Sequence, residues 1–152
     1  MCGFLGDQVR ECRCTPQQIA RYRDKLSGPL RDRLDLTVEV PALPVSTLTS
    51  TTPGESSSTI RARVVAARER QQVRYSGDGI RTNAELTPLP ISRDCALDAG
   101  STKLLDAAVR KLSLSARGYD RVRKVARTIA DLSGAETITT HHLAEALQYR
   151  ML

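Results

Sequence analysis

Residues 114–132 read Leu114-Ser115-Ala116-Arg117-Gly118-Tyr119-Asp120-Arg121-Val122-Arg123-Lys124-Val125-Ala126-Arg127-Thr128-Ile129-Ala130-Asp131-Leu132. Tyr119, Val122, Val125, Ala126, Ile129 and Leu132 recur at steps of three and four, the spacing of one helix face. Arg117, Arg121, Lys124 and Thr128 follow the same period on the opposite side. An amphipathic helix over 117–132 is predicted, with Gly134 just past its end as the stop. Before it, Leu104, Leu105, Ala108, Val109 and Leu112 put a second apolar stripe on 101–112. After it, Thr139 can cap a final helix, Ile138 can staple onto Leu143, and Leu147 continues the stripe. Three such helices in succession predict a small bundle over 95–152.

Upstream the pattern thins. Residues 59–75 predict an Arg-rich helix with Ile60, Val64, Ala67 and Gln71 along one side. Residues 76–94, with Gly77, Gly79, Pro88 and Pro90, predict an irregular connection. Residues 41–58 are rich in Pro, Ser and Thr and predict a flexible linker. Thr15-Pro16-Gln17-Gln18 carries a capping box with Pro at the first helical position, so a helix starts there. Ile19, Tyr22 and Leu26 are its apolar face, and Ser27-Gly28-Pro29 breaks it. After a charged turn over 30–35, Leu36–Val40 alternates apolar and polar residues as a strand does. A lone strand cannot satisfy its own backbone groups, so its partners are expected on sequence outside this chain.

The 152 residues are 40% hydrophobic but only 3% aromatic, so the core must be aliphatic, a composition that leans towards helices. A net charge of +6, mostly from arginine, attracts polyanions, although a solvated basic surface gives the same total. No stretch approaches the roughly 20 apolar residues of a membrane span. The first ten residues lack a signal-peptide pattern. A cytoplasmic address is expected, with Cys2, Cys12, Cys14 and Cys95 as thiols, Cys95 as a small buried residue. His141 and His142, about 100° apart on a helix, cannot easily share a metal and read as surface polar residues. No phosphate-binding loop, nucleophile elbow or metalloprotease motif is found, so the chain alone is not expected to catalyse a reaction or to bind ATP tightly.

Three stretches, in order and spacing, resemble the magnesium-chelatase-like AAA+ ATPases, in the branch of the competence protein ComM. They are Cys2-Gly3-Phe4-Leu5-Gly6-Asp7 running into Glu11-Cys12-Arg13-Cys14-Thr15-Pro16, then Ser27-Gly28-Pro29-Leu30-Arg31-Asp32-Arg33-Leu34-Asp35-Leu36, and the 114–132 segment above. The ending Ala144-Glu145-Ala146-Leu147-Gln148-Tyr149-Arg150 fits the same pattern. The resemblance implies a mainly α chain: a C-terminal helical lid preceded by an incomplete piece of the α/β nucleotide-binding domain, one helix plus one strand. Residues 1–40 would be that remnant, with the arginine-finger region. Residues 41–58 would be the linker, 59–94 the Arg-rich helix and connection, and 95–152 the lid.

It further implies that Arg33 is an arginine finger, flanked by Asp32 and Asp35, and that Arg117 is the sensor-2 arginine reaching the γ-phosphate. The full-length protein would use ATP and Mg2+ in a homo-hexamer built with the N-terminal portion of the same ATPase, and would remodel DNA by branch migration during natural transformation. Family members carry Cys-x-Cys-Gly and then Cys-x-Cys, four thiolates able to hold Zn2+. Here Met1 precedes Cys2, leaving Cys2, Cys12 and Cys14. Read without the resemblance, Arg33 lies in a charged turn, and Arg121 and Lys124 serve either DNA or solubility. A stand-alone basic helical module that binds DNA or protein is then the alternative, and a small zinc-binding domain the third.

Overall fold

The computed structural model describes residues 2–7, 10–40, 43, 44, 47 and 53–150. The helices are α1 Pro16–Arg23, α2 Gly28–Arg31, α3 Ser57–Arg74, α4 Pro88–Asp94, α5 Ala99–Leu112, α6 Ala116–Leu132 and α7 Thr140–Gln148, with a 3-10 turn at Asn83–Glu85. They fall into two compact units. One takes residues up to Leu34 together with Val38–Pro53, the other Asp35–Thr37 together with Gly54 onward.

In the larger unit, side-chain caps start the helices where the sequence offers Ser or Asp. Ser56 Oγ accepts the Thr59 N–H at 3.2 Å, Asp98 Oδ1 that of Ser101 at 2.6 Å, and Ser115 Oγ that of Gly118 at 3.1 Å. Each satisfies a donor that the first helical turn leaves without a carbonyl. The expected irregular stretch 76–94 is ordered at its end, because Pro88 opens α4. Prolines in a first turn forfeit no helical hydrogen bond, so Pro88 and Pro90 start a helix here.

α6 is the central helix, packed against α7, α3, α4 and the 3-10 turn, while α5 packs on α7. Its Val122, Ala126 and Ala130 are buried in one cluster with Leu105, Ile91, Cys95, Ile138, Leu143 and Leu147. The small alanines let neighbouring helices approach closely. A second, polar core lies beside the first. Asp131, with no exposed side-chain surface, accepts from Arg74 (2.5 and 3.0 Å), Asn83 (2.9 Å) and Arg127 (3.2 Å). Arg127 also donates to the carbonyls of Ala135 and Glu136, at 2.7 and 2.8 Å, and so ties the α6–α7 connection. Burial alone would raise the Asp131 pKa, but the hydrogen bonds from Arg74 and Asn83 and the charge of Arg127 hold it below the usual carboxylate range.

The smaller unit carries α1 with the expected capping box. Thr15 Oγ1 accepts the Gln18 N–H, and Gln18 Oε1 accepts the Thr15 N–H at 3.0 Å. Its expected apolar face is not covered, for Tyr22 is 56% exposed and α1 buries no residue. The expected strand is overturned. Among the described residues there is no strand, and Leu36–Val40 has no regular structure. Leu36, Val38 and Val40 are exposed, and the Thr37 N–H donates to the carbonyl of Tyr149 instead of to a ladder. The described residues are therefore mainly α and hold no incomplete α/β layer with a strand. Alternation over five residues identifies a segment able to pair, but pairing needs a neighbour. Among the described residues the one β-type contact is an isolated bridge between Leu97 and Ile138. Much of the expected linker, residues 41, 42, 45, 46 and 48–52, lies outside the described residues.

Candidate functional site

Arg117 is the second residue of α6, directly after the Ser115 cap. It is exposed and makes no ion pair among the described residues. The N-terminal end of a helix carries partial positive charge, so an arginine there reinforces a place that favours anions. The turn before it is tight, with Ser113 in the left-handed region at φ 49°. Gly118, the next residue, is buried. A Cβ there would stand 3.3 Å from the Arg150 guanidinium, a tight approach that a small shift of that flexible side chain would relieve.

The rest of that polar face is covered from within the chain. Arg121 pairs with Asp35. Lys124 donates to the Ala84 carbonyl at 3.0 Å, and Thr128 accepts from Asn83 at 3.0 Å while donating to the Lys124 carbonyl at 2.9 Å. The 3-10 turn and residues 35–37 thus cover a face that its period alone would leave to solvent. Arg117 is the member that faces outward with its charge available.

In the smaller unit, Arg33 is exposed in the turn after α2, with its N–H donated to the Leu30 carbonyl at 3.0 Å. Ser27 caps this short helix through the Leu30 N–H at 3.4 Å, and Pro29 sits in its first turn. Arg33 and Arg117 belong to different compact units.

The three N-terminal cysteines are brought together. Cys2 Sγ lies 3.5 Å from Cys12 Sγ and 3.4 Å from Cys14 Sγ, with all three sulfurs within 4.8 Å of one another. Tetrahedral zinc with Zn–S bonds of about 2.3 Å sets its sulfurs about 3.8 Å apart, so the three thiols fit such an ion. Gly3 and Gly6, at φ 81° and 83°, allow the knuckle that turns Cys2 towards the other two. The Phe4 N–H and the neighbouring thiols stabilise the Cys2 thiolate and lower its pKa to about 6. At Cys12 the Cys14 backbone N–H works the same way, but the Cys2 thiol and burial outweigh it and raise the pKa. Cys95 is fully buried, and burial pushes its thiol up to about 11, as suits an inert core residue.

His142 differs from its expected surface role. It is buried, with Nδ1 accepting the Thr139 N–H at 3.1 Å and Nε2 3.1 Å from Ser133 Oγ. Sequence reasoning also passed over Asp131, Arg127 and Asn83. An Asp and an Arg four apart on a helix could have been noticed, but nothing local marks Asn83 as their partner.

Residues 54–150 match the family described as magnesium chelatase, subunit ChlI C-terminal, and residues 1–48 that described as magnesium chelatase, subunit ChlI. The chain is 47% identical over 141 residues to the Competence protein ComM of Haemophilus influenzae, covering 92% of this chain and 27% of that protein. It is 45% identical over 141 residues to the Uncharacterized protein YifB of Escherichia coli, again 92% and 27%. With the Uncharacterized protein Mb2921c of Mycobacterium bovis it shares 38% over 149 residues, 98% of this chain and 29% of that one. The chain thus spans little more than a quarter of the length of these relatives. No helix among the described residues is long and apolar enough to cross a membrane. With its helical bundle, its cysteine knuckle and the matches that run through both, the chain belongs to the magnesium chelatase ChlI family.

Proposed function

We propose that the chain serves as the C-terminal part of an ATP-driven ring ATPase, with Arg33 as the finger that acts on a neighbouring subunit's nucleotide and Arg117 as the arginine through which the lid responds to its own. Hydrolysis spreads negative charge over the γ-phosphate oxygens, and a guanidinium held at a turn can stabilise that charge. Arg117, at the N-terminal end of the central bundle helix, would transmit contact with a phosphate to the whole lid. The observation that carries the reading is the match of both family segments, in order, to one chain, each presenting an exposed arginine at a capped helix or the turn behind one.

The nucleotide with Mg2+, the hexameric ring and the N-terminal portion as partner follow from this reading. A role in competence is suggested by the relative's name, and DNA as the polyanion acted on by the +6 charge. Cys2, Cys12 and Cys14 would hold Zn2+, which supplies a structural cross-link and no catalytic step. The test is ATP hydrolysis by rings whose subunits carry this segment. Arg33→Ala lowers kcat by roughly 10³-fold or more, and Arg117→Ala raises KM for ATP. Mixing Arg33→Ala subunits with subunits that lack a working phosphate loop restores turnover, because the two defects lie at different sites. Wild-type rates in both single variants would sink the proposal.

A second reading, a basic helical module that binds DNA unaided, draws on Arg61, Arg68 and Arg70, all exposed on α3. It requires that the isolated chain bind duplex DNA with an affinity that falls steeply as salt rises.

A further inference from the structure

Residues Asp35–Thr37 lie in the same compact unit as the bundle, apart from the residues on either side of them. Contacts among the described residues hold them there. Asp35 pairs with Arg121 of α6. The Thr37 N–H donates to the carbonyl of Tyr149, the C-cap of α7, at 3.0 Å. Between them, Leu36 lines a groove of about 300 Å³ with Val125, Ile129 and Leu132 of α6. The helix end supplies a carbonyl that has no partner within its own helix, and the segment occupies it.

The two ends of this strap are notable for their neighbours in sequence. Arg121 stands one turn after Arg117 on the same face of α6. Asp35 stands two residues after Arg33. The ion pair thus joins α6 to a residue two positions from Arg33 along the chain.

We propose that Asp35 and Arg121 are a positioning pair that makes the arginine-finger turn follow the lid helix of its own subunit. The inference rests on the roles given above to Arg33 and Arg117 and adds a route between them. Nucleotide that engages Arg117 shifts α6, Arg121 carries Asp35 with it, and Arg33 is advanced to or withdrawn from the adjoining subunit's site. Occupancy of one site thereby sets the rate at the next. The contacts suit a releasable strap. The Asp35 side chain is 57% exposed and that of Arg121 20%, the setting of a weak pair, while the buried Asp131 cluster keeps α6 itself intact. Coupling of this kind needs contacts that differ between the two lid positions, and an ion pair that forms in one of them provides that difference.

Two measurements decide it. In the 152-residue chain, Asp35→Asn and Arg121→Gln each speed amide hydrogen exchange at Thr37 by about two- to fivefold, the range an exposed pair supports. Exchange at Val122 and Leu143 stays unchanged, and the charge-swapped Asp35→Arg/Arg121→Asp protein returns Thr37 to its slow rate. In rings carrying the segment, Asp35→Asn lowers kcat and moves the Hill coefficient for ATP towards one with KM little altered, and the charge swap restores both. Thr37 exchange that ignores both single variants overturns the strap. A Hill coefficient that Asp35→Asn leaves alone, in rings that Arg33→Ala inactivates, overturns the coupling and leaves the finger standing. Rings that hydrolyse ATP normally with Arg33→Ala and with Arg117→Ala overturn the functional reading and the coupling with it.

Discussion

The bundle of residues 54–150 and the segment 10–40 carry similar local signals and bury them differently. Both open helices on well-formed caps, Thr15 in one and Ser115 in the other. Both set apolar residues at helical spacing. In the bundle, Val122, Ala126, Leu143 and Leu105 lose nearly all contact with solvent, whereas Ile19 is only half-buried and Tyr22, Leu26 and Leu30 remain exposed. A periodic stripe states which face gains by burial, about 25 cal/mol for each Å² covered, and says nothing of what covers it. In the bundle the cover lies within a few tens of residues along the chain. For α1 it does not lie among the described residues.

The largest break in this contrast comes from Asp131→Ala. It leaves Arg127, 2% exposed, without its carboxylate, and should lower the urea-unfolding free energy of the bundle by about 4 kcal/mol. The same experiment on the smaller unit uses metal. Cys12→Ser should weaken Zn2+ binding by more than about tenfold, or 1.4 kcal/mol, in a competition titration. The unfolding midpoint of the bundle should not move.

A smaller effect follows from pH. His142 accepts a backbone N–H and is held in its neutral form; burial, with the charges of His141 and Arg127, keeps its pKa below the ordinary 6.5. As pH falls, the unfolded chain takes up this proton first. The stabilising contribution is therefore complete above about pH 6.5 and declines below it, by at most about 1.4 kcal/mol per pH unit. His142→Gln should flatten that slope in unfolding curves taken between pH 7 and pH 5, a range bounded by the reference values. Asp131 adds a second loss at more acid pH, since its folded pKa also lies below its ordinary 3.8. Smallest of all, Tyr22→Ala should change stability by no more than about 0.5 kcal/mol, because its ring is already in water. A large loss there would mean that α1 has a cover and that the two regions are alike.

Most of the helical architecture was legible. The stripes on 101–112, 117–132 and 140–147 survive as α5, α6 and α7, and the capping box at Thr15 marks the start of α1 to the residue. The errors share a cause. Leu36–Val40 alternates like a strand yet forms none, Pro88 and Pro90 look like breakers yet begin a helix, and His142 looks like a surface residue yet is buried. In each case the outcome turned on position relative to something else: a neighbouring strand, the first turn of a helix, the packed face of α6. At the candidate site, motif order singled out Arg33, Arg117 and the three cysteines as candidates. It could not single out the partners of Arg121, Lys124 and Thr128, because they lie 40 or more residues away.

The sequence by itself determined where most helices start and which of their faces are apolar, because caps and periodicity act within one or two turns. Tertiary structure alone decided that three cysteines from two loops converge, that Asp131 gathers Arg74, Asn83 and Arg127, and that residues 35–37 lie along α6 and α7. Those arrangements depend on desolvation and on contacts between distant segments, and both come into being only when the chain has packed.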